Sequence, residues 1–161
     1  MSVLDTFCEE HEEALDRLAN LRQYLDQLRE GKPMGWLVDG YEAFSDWLGE
    51  ALKTHFRMEE EVLFPPLKEV FGRGGGPVSQ MLYEHGEIEE AHAKMAAALA
   101  KEDPDREALA EASERILAVL PGHIEKEDNV LFPFAERRLT PDQMAEVDAA
   151  VREFSPPPGS S

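Results

Sequence analysis

The chain spells one eleven-residue phrase twice. His55-Phe56-Arg57-Met58-Glu59-Glu60-Glu61-Val62-Leu63-Phe64-Pro65 returns as His123-Ile124-Glu125-Lys126-Glu127-Asp128-Asn129-Val130-Leu131-Phe132-Pro133. Both copies read His-x-x-x-Glu-acidic-x-Val-Leu-Phe-Pro. The same separation divides His55 from His123, Glu59 from Glu127 and Pro65 from Pro133, so the copies align without a gap. On a helix, residues four apart lie one above the other on the same face. Each copy therefore points an imidazole and a carboxylate the same way, from a face that continues into apolar side chains. Two such pairs on facing helices make a mixed nitrogen and oxygen cage suited to a pair of metal ions.

The rest of the chain reads as helices that carry these motifs. Leu4, Phe7, His11, Leu15, Leu18, Leu21, Leu25 and Leu28 recur in steps of three and four, one stripe of a helix from about Val3 to Glu30. Gly31 and Pro33 end it, and residues 32–38 read as a loop. A second helix is expected from Asp39, as N-cap, through the first motif. Pro65-Pro66 must kink or end it, because neither ring donates an i to i−4 hydrogen bond. Gly72 to Pro77 is the clearest break. A third helix from Pro77 or Val78 aligns Met81, Leu82, His85, Ile88, Glu89, His92 and Met95. Asp103 and Pro104 are expected to cap and open a fourth, which reaches Arg138 and bends at Pro121-Gly122. Thr140-Pro141 opens a short fifth helix to about Phe154. Residues 155–161, Ser-Pro-Pro-Pro-Gly-Ser-Ser, read as a disordered tail. No segment alternates with period two. The expected fold is all-α, an up-down-up-down four-helix bundle with a short C-terminal fifth helix, in one domain over residues 1–154.

Charge narrows the partners. With 34 acidic against 16 basic residues, the formal net charge is −18, which repels nucleic acid and anionic lipid. Cys8 is the only cysteine, so no intramolecular disulfide can form, in keeping with a reducing cytoplasm. The first residues lack the basic and apolar regions of a signal peptide, and no apolar run approaches the ~20 residues of a membrane span.

All five histidines, His11, His55, His85, His92 and His123, fall within or beside apolar stripes. A lone histidine there is more often a hydrogen-bonded core residue. Five in one acidic helical protein, two of them in a repeat, shift the balance, since clustered imidazoles and carboxylates are costly to bury without a cation. The candidate ligands are His11, His55, Glu59, His85, His123 and Glu127. Glu89, one turn from His85, and Asp128, beside Glu127, are further candidates. Glu60 and Glu61 read as a solvated acidic run, out of register with His55. His92 lies two turns from His85, about 10 Å along the axis, too far to share an ion on a regular helix. Cys8 reads as a small core residue. Calcium or magnesium prefers all-oxygen ligands, and structural zinc usually takes cysteine. Imidazole with bridging carboxylate suits iron or manganese pairs, with zinc a possible substitute.

These residues resemble the hemerythrin-like family, the histidine-histidine-glutamate cation-binding domains. The match rests on His11, His55-x-x-x-Glu59, His85 and His123-x-x-x-Glu127, with Leu-Phe-Pro after each glutamate, and covers about Leu4 to Arg138. The resemblance implies a four-helix bundle around two non-haem iron ions with an oxo or hydroxo bridge. It implies that Glu59 and Glu127 bridge the irons and that the four histidines are terminal ligands. Oxygen-carrying members have a second histidine where this chain has Glu89, and an aspartate where it has Asp128.

A carboxylate in place of a neutral imidazole favours the ferric state, which argues against oxygen storage. The expected function is reaction with a small neutral ligand, O2, H2O2 or NO, with catalase-like or peroxidase-like decomposition of peroxide. The alternative is a non-enzymatic module that senses O2 or NO or handles iron. The chain is expected to be a monomer or weak homodimer.

Overall fold

The computed structural model describes residues 2–154, so the expected tail at 155–161 lies outside the described residues. Every regular element among the described residues is helical. Helix α1 (Val3–Arg29) buries Leu4, Phe7, His11, Leu18, Leu21, Leu25 and Leu28 along the stripe expected of it. Its end is a Schellman turn. Gly31, at φ +82°, donates to the Leu28 carbonyl at 3.2 Å, and Lys32 donates to the Gln27 carbonyl at 3.1 Å.

The next helix starts earlier than Asp39. α2 (Met34–Ala51) begins straight after Pro33, whose carbonyl accepts from Trp36 N–H at 3.0 Å. Residues 34–38, expected as loop, are its first turns. Gly35 and exposed Trp36 hid the pattern, because the first buried apolar residue is Leu37.

The prolines of the motif do not end the helix either. From residue 34 to residue 71 the backbone stays helical, through π-helical turns at Leu52–Phe56 and Glu59–Leu63 into α3 (Phe64–Phe71). Phe64 N–H reaches back five residues to the Glu59 carbonyl. The wider turn lets Pro65 and Pro66 follow in the first turn of the next α-helical stretch, where a missing N–H costs least. The second motif does the same. α5 (Arg106–Lys126) passes through a π-helical turn at Glu127–Leu131, with Phe132 N–H on the Glu127 carbonyl, into α6 (Phe132–Arg138). Pro121 is accommodated within α5.

Between the two motif-bearing rods, Gly72, Gly74, Gly75 and Gly76 all take positive φ and lead into α4 (Pro77–Ala100). The cap of α5 is Asp105, not Asp103; its carboxylate accepts from Ala108 N–H at 3.0 Å. Helix α7 (Pro141–Glu153) opens as expected with Thr140, which exchanges two hydrogen bonds with Gln143.

The helices pack as a bundle, α1 against α2 and α5, and α4 against α5 and α2, with α7 closing one end near Glu59–Leu63. The apolar interior is in two parts. One gathers Leu21, Leu25, Tyr41, Phe44, Met95 and Ile116; the other gathers Leu4, Phe7, Leu63, Phe64, Leu67 and Phe132. Each fully buried leucine or phenylalanine contributes roughly 1.5–3 kcal/mol. Along α1 and α4 the crossing from one part to the other falls at a histidine: Phe7 before and Ala14 after His11, Met81 before and Ile88 after His85. The four buried histidines, with Glu59 and Glu127, form the layer between.

Candidate metal centre

The two repeats meet in this layer. His11, His55, Glu59 and Glu127 form one group of potential ligand atoms, and Glu59, His85, His123 and Glu127 form another; within each, all atoms lie within 4.8 Å of one another. All six residues are buried, Glu59 and Glu127 with no exposed surface at all. The two glutamates belong to both groups. Glu59 sets Oε2 at 3.4 Å from His55 Nε2 and Oε1 at 3.2 Å from His85 Nε2, one oxygen toward each half. Glu127 Oε1 lies 3.1 Å from His11 Nε2 and 3.5 Å from His123 Nε2.

Each histidine is held from behind by a carboxylate on another helix. His11 Nδ1 donates to Asp128 at 2.8 Å, and His55 Nδ1 to Glu10 at 2.6 Å. His85 Nδ1 donates to Glu60 at 2.9 Å, and His123 Nδ1 to Glu84 at 3.0 Å. A carboxylate only accepts, so the proton of each neutral imidazole sits on Nδ1 and the Nε2 lone pair faces inward. The pattern follows the repeat: Glu60 and Asp128 occupy equivalent positions, as do Glu10 and Glu84. Lys126 adds an ion pair to Glu84 that has no counterpart at Glu10 among the described residues.

This arrangement fits a cation. His11 Nε2 and His55 Nε2 are 3.2 Å apart, and so are His85 Nε2 and His123 Nε2. Two lone pairs at that distance repel unless a proton or a cation lies between them. Two nitrogens each about 2.1 Å from one ion, about 100° apart, are about 3.2 Å from each other. All four oxygens of Glu59 and Glu127 are buried without a well-aligned hydrogen bond, although imidazole nitrogens crowd them. The donors converge on shared points rather than on each other. An uncompensated buried carboxylate costs several kcal/mol, so this layer needs positive charge.

The protonation equilibria say the same. Burial pushes His11 below its ordinary value, with His55 adding to the effect. Burial opposes the charge on His55, but Glu59 and Glu10 outweigh it and raise the group to about 9. Burial, with His85 nearby, lowers His123 to about 4, while Glu59 and Glu60 raise His85 against its own burial. His55 thus holds a proton that an ion would replace, and His85 is shifted in the same direction. Burial and the charge of Glu59 push Glu127 well above the usual carboxylate range; burial acts on Glu59 too, but His55 and the other imidazoles hold it well below.

The other sequence candidates fall outside the two groups. Glu89 is exposed and belongs to neither group; burial and Glu60 raise its carboxyl. Asp128 holds His11, and its Oδ1 also takes Cys8 Sγ at 3.4 Å. Burial, with the charge of Asp128 and that contact, pushes the Cys8 thiol up to about 12. His92 bonds the Ser45 carbonyl at 2.9 Å, tying α4 to α2. Of the acidic run, exposed Glu61 pairs with Arg57, but the partly exposed Glu60 does more than face solvent, since it orients His85. The signal for Glu60 was its repeat partner Asp128.

Aromatic rings pack the layer. Phe56 stacks on His85 with ring centres 3.9 Å apart, and Phe132 stacks on His11 at 5.7 Å. Between α1, α2 and α5 a cavity of about 270 Å³ runs to His11, His55 and His123, walled by Leu48, Phe56, Leu120 and Ile124.

The sequence profile of the Hemerythrin HHE cation binding domain matches residues 2–135. An iron-sulfur cluster repair protein YtfE of Cronobacter sakazakii is 30% identical over 140 residues, covering 83% of this chain and 62% of that protein. The protein of the same name from Escherichia coli is 28% identical over 140 residues, covering 83% of this chain and 63% of its own length, as is that of Shigella boydii. The chain thus spans less than two thirds of these curated relatives. No helix among the described residues is long and apolar enough to cross a membrane.

Proposed function

The chain belongs to the hemerythrin HHE cation binding domain family, and on that premise we propose that it is a non-haem diiron protein that decomposes hydrogen peroxide rather than storing oxygen. The observation that carries this reading is the ring of four carboxylates, Glu10, Glu60, Glu84 and Asp128, behind the four imidazoles. A carboxylate on Nδ1–H strengthens Nε2 as a donor and adds negative charge near the ion, which favours the oxidised metal. Fully reversible oxygen carriage needs the opposite bias.

His11 and His55 would hold one ion, His85 and His123 the other, and Glu59 and Glu127 both. Bound there, an iron pair supplies a reversible two-electron change. Disproportionation of peroxide to oxygen and two waters oxidises one peroxide and reduces another, so it needs no outside reductant. The chain fixes each imidazole in one tautomer, keeps bulk water off the layer, and leaves the apolar cavity as the approach. The net charge of −18 does not hinder neutral ligands such as H2O2, O2 or NO. The up-down-up-down helix order belongs to this reading. It is supported by the contacts of the rod begun by α5 with α1, where Asp128 meets His11 and Arg106 meets Leu28, and of α4 with the rod begun by α2, where His85 meets Glu60 and His92 meets Ser45.

The test is oxygen evolution from hydrogen peroxide per bound iron. Turnover well above that of free ferrous iron, abolished in Glu59→Gln and Glu127→Gln, is expected. Turnover equal to free iron would overturn the reading.

A second reading is iron handling in the repair of iron–sulfur clusters, favoured by the names of the curated relatives. It predicts that the iron-loaded protein, inactive toward peroxide, restores an oxidatively damaged [4Fe–4S] enzyme, and that Glu59→Gln does not.

A further inference from the structure

The cavity is too large and too apolar for hydrogen peroxide alone. Its volume of about 270 Å³ is far above the roughly 30 Å³ that a water molecule occupies in the liquid. An apolar cavity of roughly 150 Å³ already holds benzene. The walls are hydrocarbon: Ala14, Leu48, Ala51, Leu120 and Ile124, with the Phe56 ring. The cavity meets His11 and His55 of one half and His123 of the other, but not His85. Glu10, Glu13 and Glu50 also line it, and they disfavour an anionic occupant.

We infer that this cavity binds the body of a small uncharged organic hydroperoxide, aryl or branched alkyl, with its O–O group at the His11 and His55 end. The inference rests on the peroxide reading above and narrows its substrate class. The reaction breaks the O–O bond. ROOH takes two electrons and two protons and leaves as ROH and water; the electrons come from the reduced metal pair, the protons from solvent. A thiol-class reductant closes the cycle.

Two measurements test this. Cumyl alcohol, the unreactive product analogue, is titrated calorimetrically into the iron-loaded full chain and into Ala51→Phe, whose ring would fill the cavity. Separately, protein reduced with dithionite and desalted without air is mixed with cumene hydroperoxide, with linoleic acid hydroperoxide or with hydrogen peroxide. Submillimolar binding of cumyl alcohol is expected, weakened at least tenfold in Ala51→Phe at unchanged iron content and helicity. Cumene hydroperoxide is expected to oxidise the centre at least tenfold faster than the carboxylate-bearing peroxide. If cumyl alcohol does not bind the wild-type chain while hydrogen peroxide is decomposed, the cavity assignment falls and the peroxide reading stands; this holds whether or not the variant folds. If cumyl alcohol binds and neither cumene hydroperoxide nor hydrogen peroxide reacts, the peroxide reading falls and takes the hydroperoxide with it. Equal rates for the neutral and the anionic hydroperoxide overturn the selectivity argued from Glu10, Glu13 and Glu50.

Discussion

Glu60 Oε2 accepts a hydrogen bond from His85 Nδ1 at 2.9 Å, joining the π-helical turn of the first motif to the first half of α4. Its neighbour Glu61 faces solvent and pairs with Arg57. Adjacent carboxylates of one acidic run therefore have separate roles. Glu60→Gln is expected to weaken metal affinity about 10–100-fold, the usual cost of losing such a support. Glu61→Gln is expected to change it by less than about twofold. Competition with a chromophoric chelator measures both.

Proton linkage gives the next expectation, for protein freed of metal by a chelator. His55 rises to about 9 in the fold, above its unfolded value, so its contribution is complete below about pH 6.5 and is lost as pH climbs through 9. His123 falls to about 4, so its contribution is complete above about pH 6.5 and is lost as pH drops toward 4. The melting temperature should peak between these limbs, each worth on the order of 3 kcal/mol. Metal uptake must displace the proton on His55, so affinity rises with pH and binding acidifies an unbuffered solution. A pH-independent affinity between 6 and 9 would contradict the raised value of His55.

Two glycines make opposite predictions. A Cβ on Gly40 would lie 2.6 Å from the Tyr24 ring, whereas one on Gly86 would meet nothing within 4 Å. Both sit in helices, where alanine is favoured over glycine by roughly 0.5–1 kcal/mol. Gly86→Ala is expected to raise the melting temperature by about 1–4 °C. Gly40→Ala should lower it, because overpacking costs about 1–3 kcal/mol. Thermal denaturation of both variants decides the matter.

His92 separates a structural imidazole from the metal cluster. It carries its proton on Nε2, toward the Ser45 carbonyl at 2.9 Å. His92→Leu is expected to cost about 0.5–1.5 kcal/mol and to leave the bound metal unchanged. Metal analysis beside a denaturation curve distinguishes this from a ligand, whose loss would lower both.

The layout of the centre was legible because its geometry is local. His55 with Glu59, and His123 with Glu127, are spaced for one helix face, and the repeat said that two such faces had to meet. The supports were harder to see. Glu60 looks like part of a solvated run because what holds it, His85, lies 25 positions away. The helix boundaries failed for a different reason. Asp39 and Asp103 are good caps by residue type, but Pro33 and Asp105 had the backbone geometry. Pro65 and Pro66 read as a kink or an end because i to i−4 bonding was assumed. The bond from Phe64 to the Glu59 carbonyl spans five residues, and so the chain passes both prolines without stopping.

The histidine layer parts the interior into two separate hydrocarbon masses. The molecule is then nearer to a pair of oil droplets joined by an ionic weld than to one continuous droplet. A chelator cuts that weld. Heating the stripped protein should show the droplets dispersing in two stages, and restoring the ions should fuse those stages into a single transition.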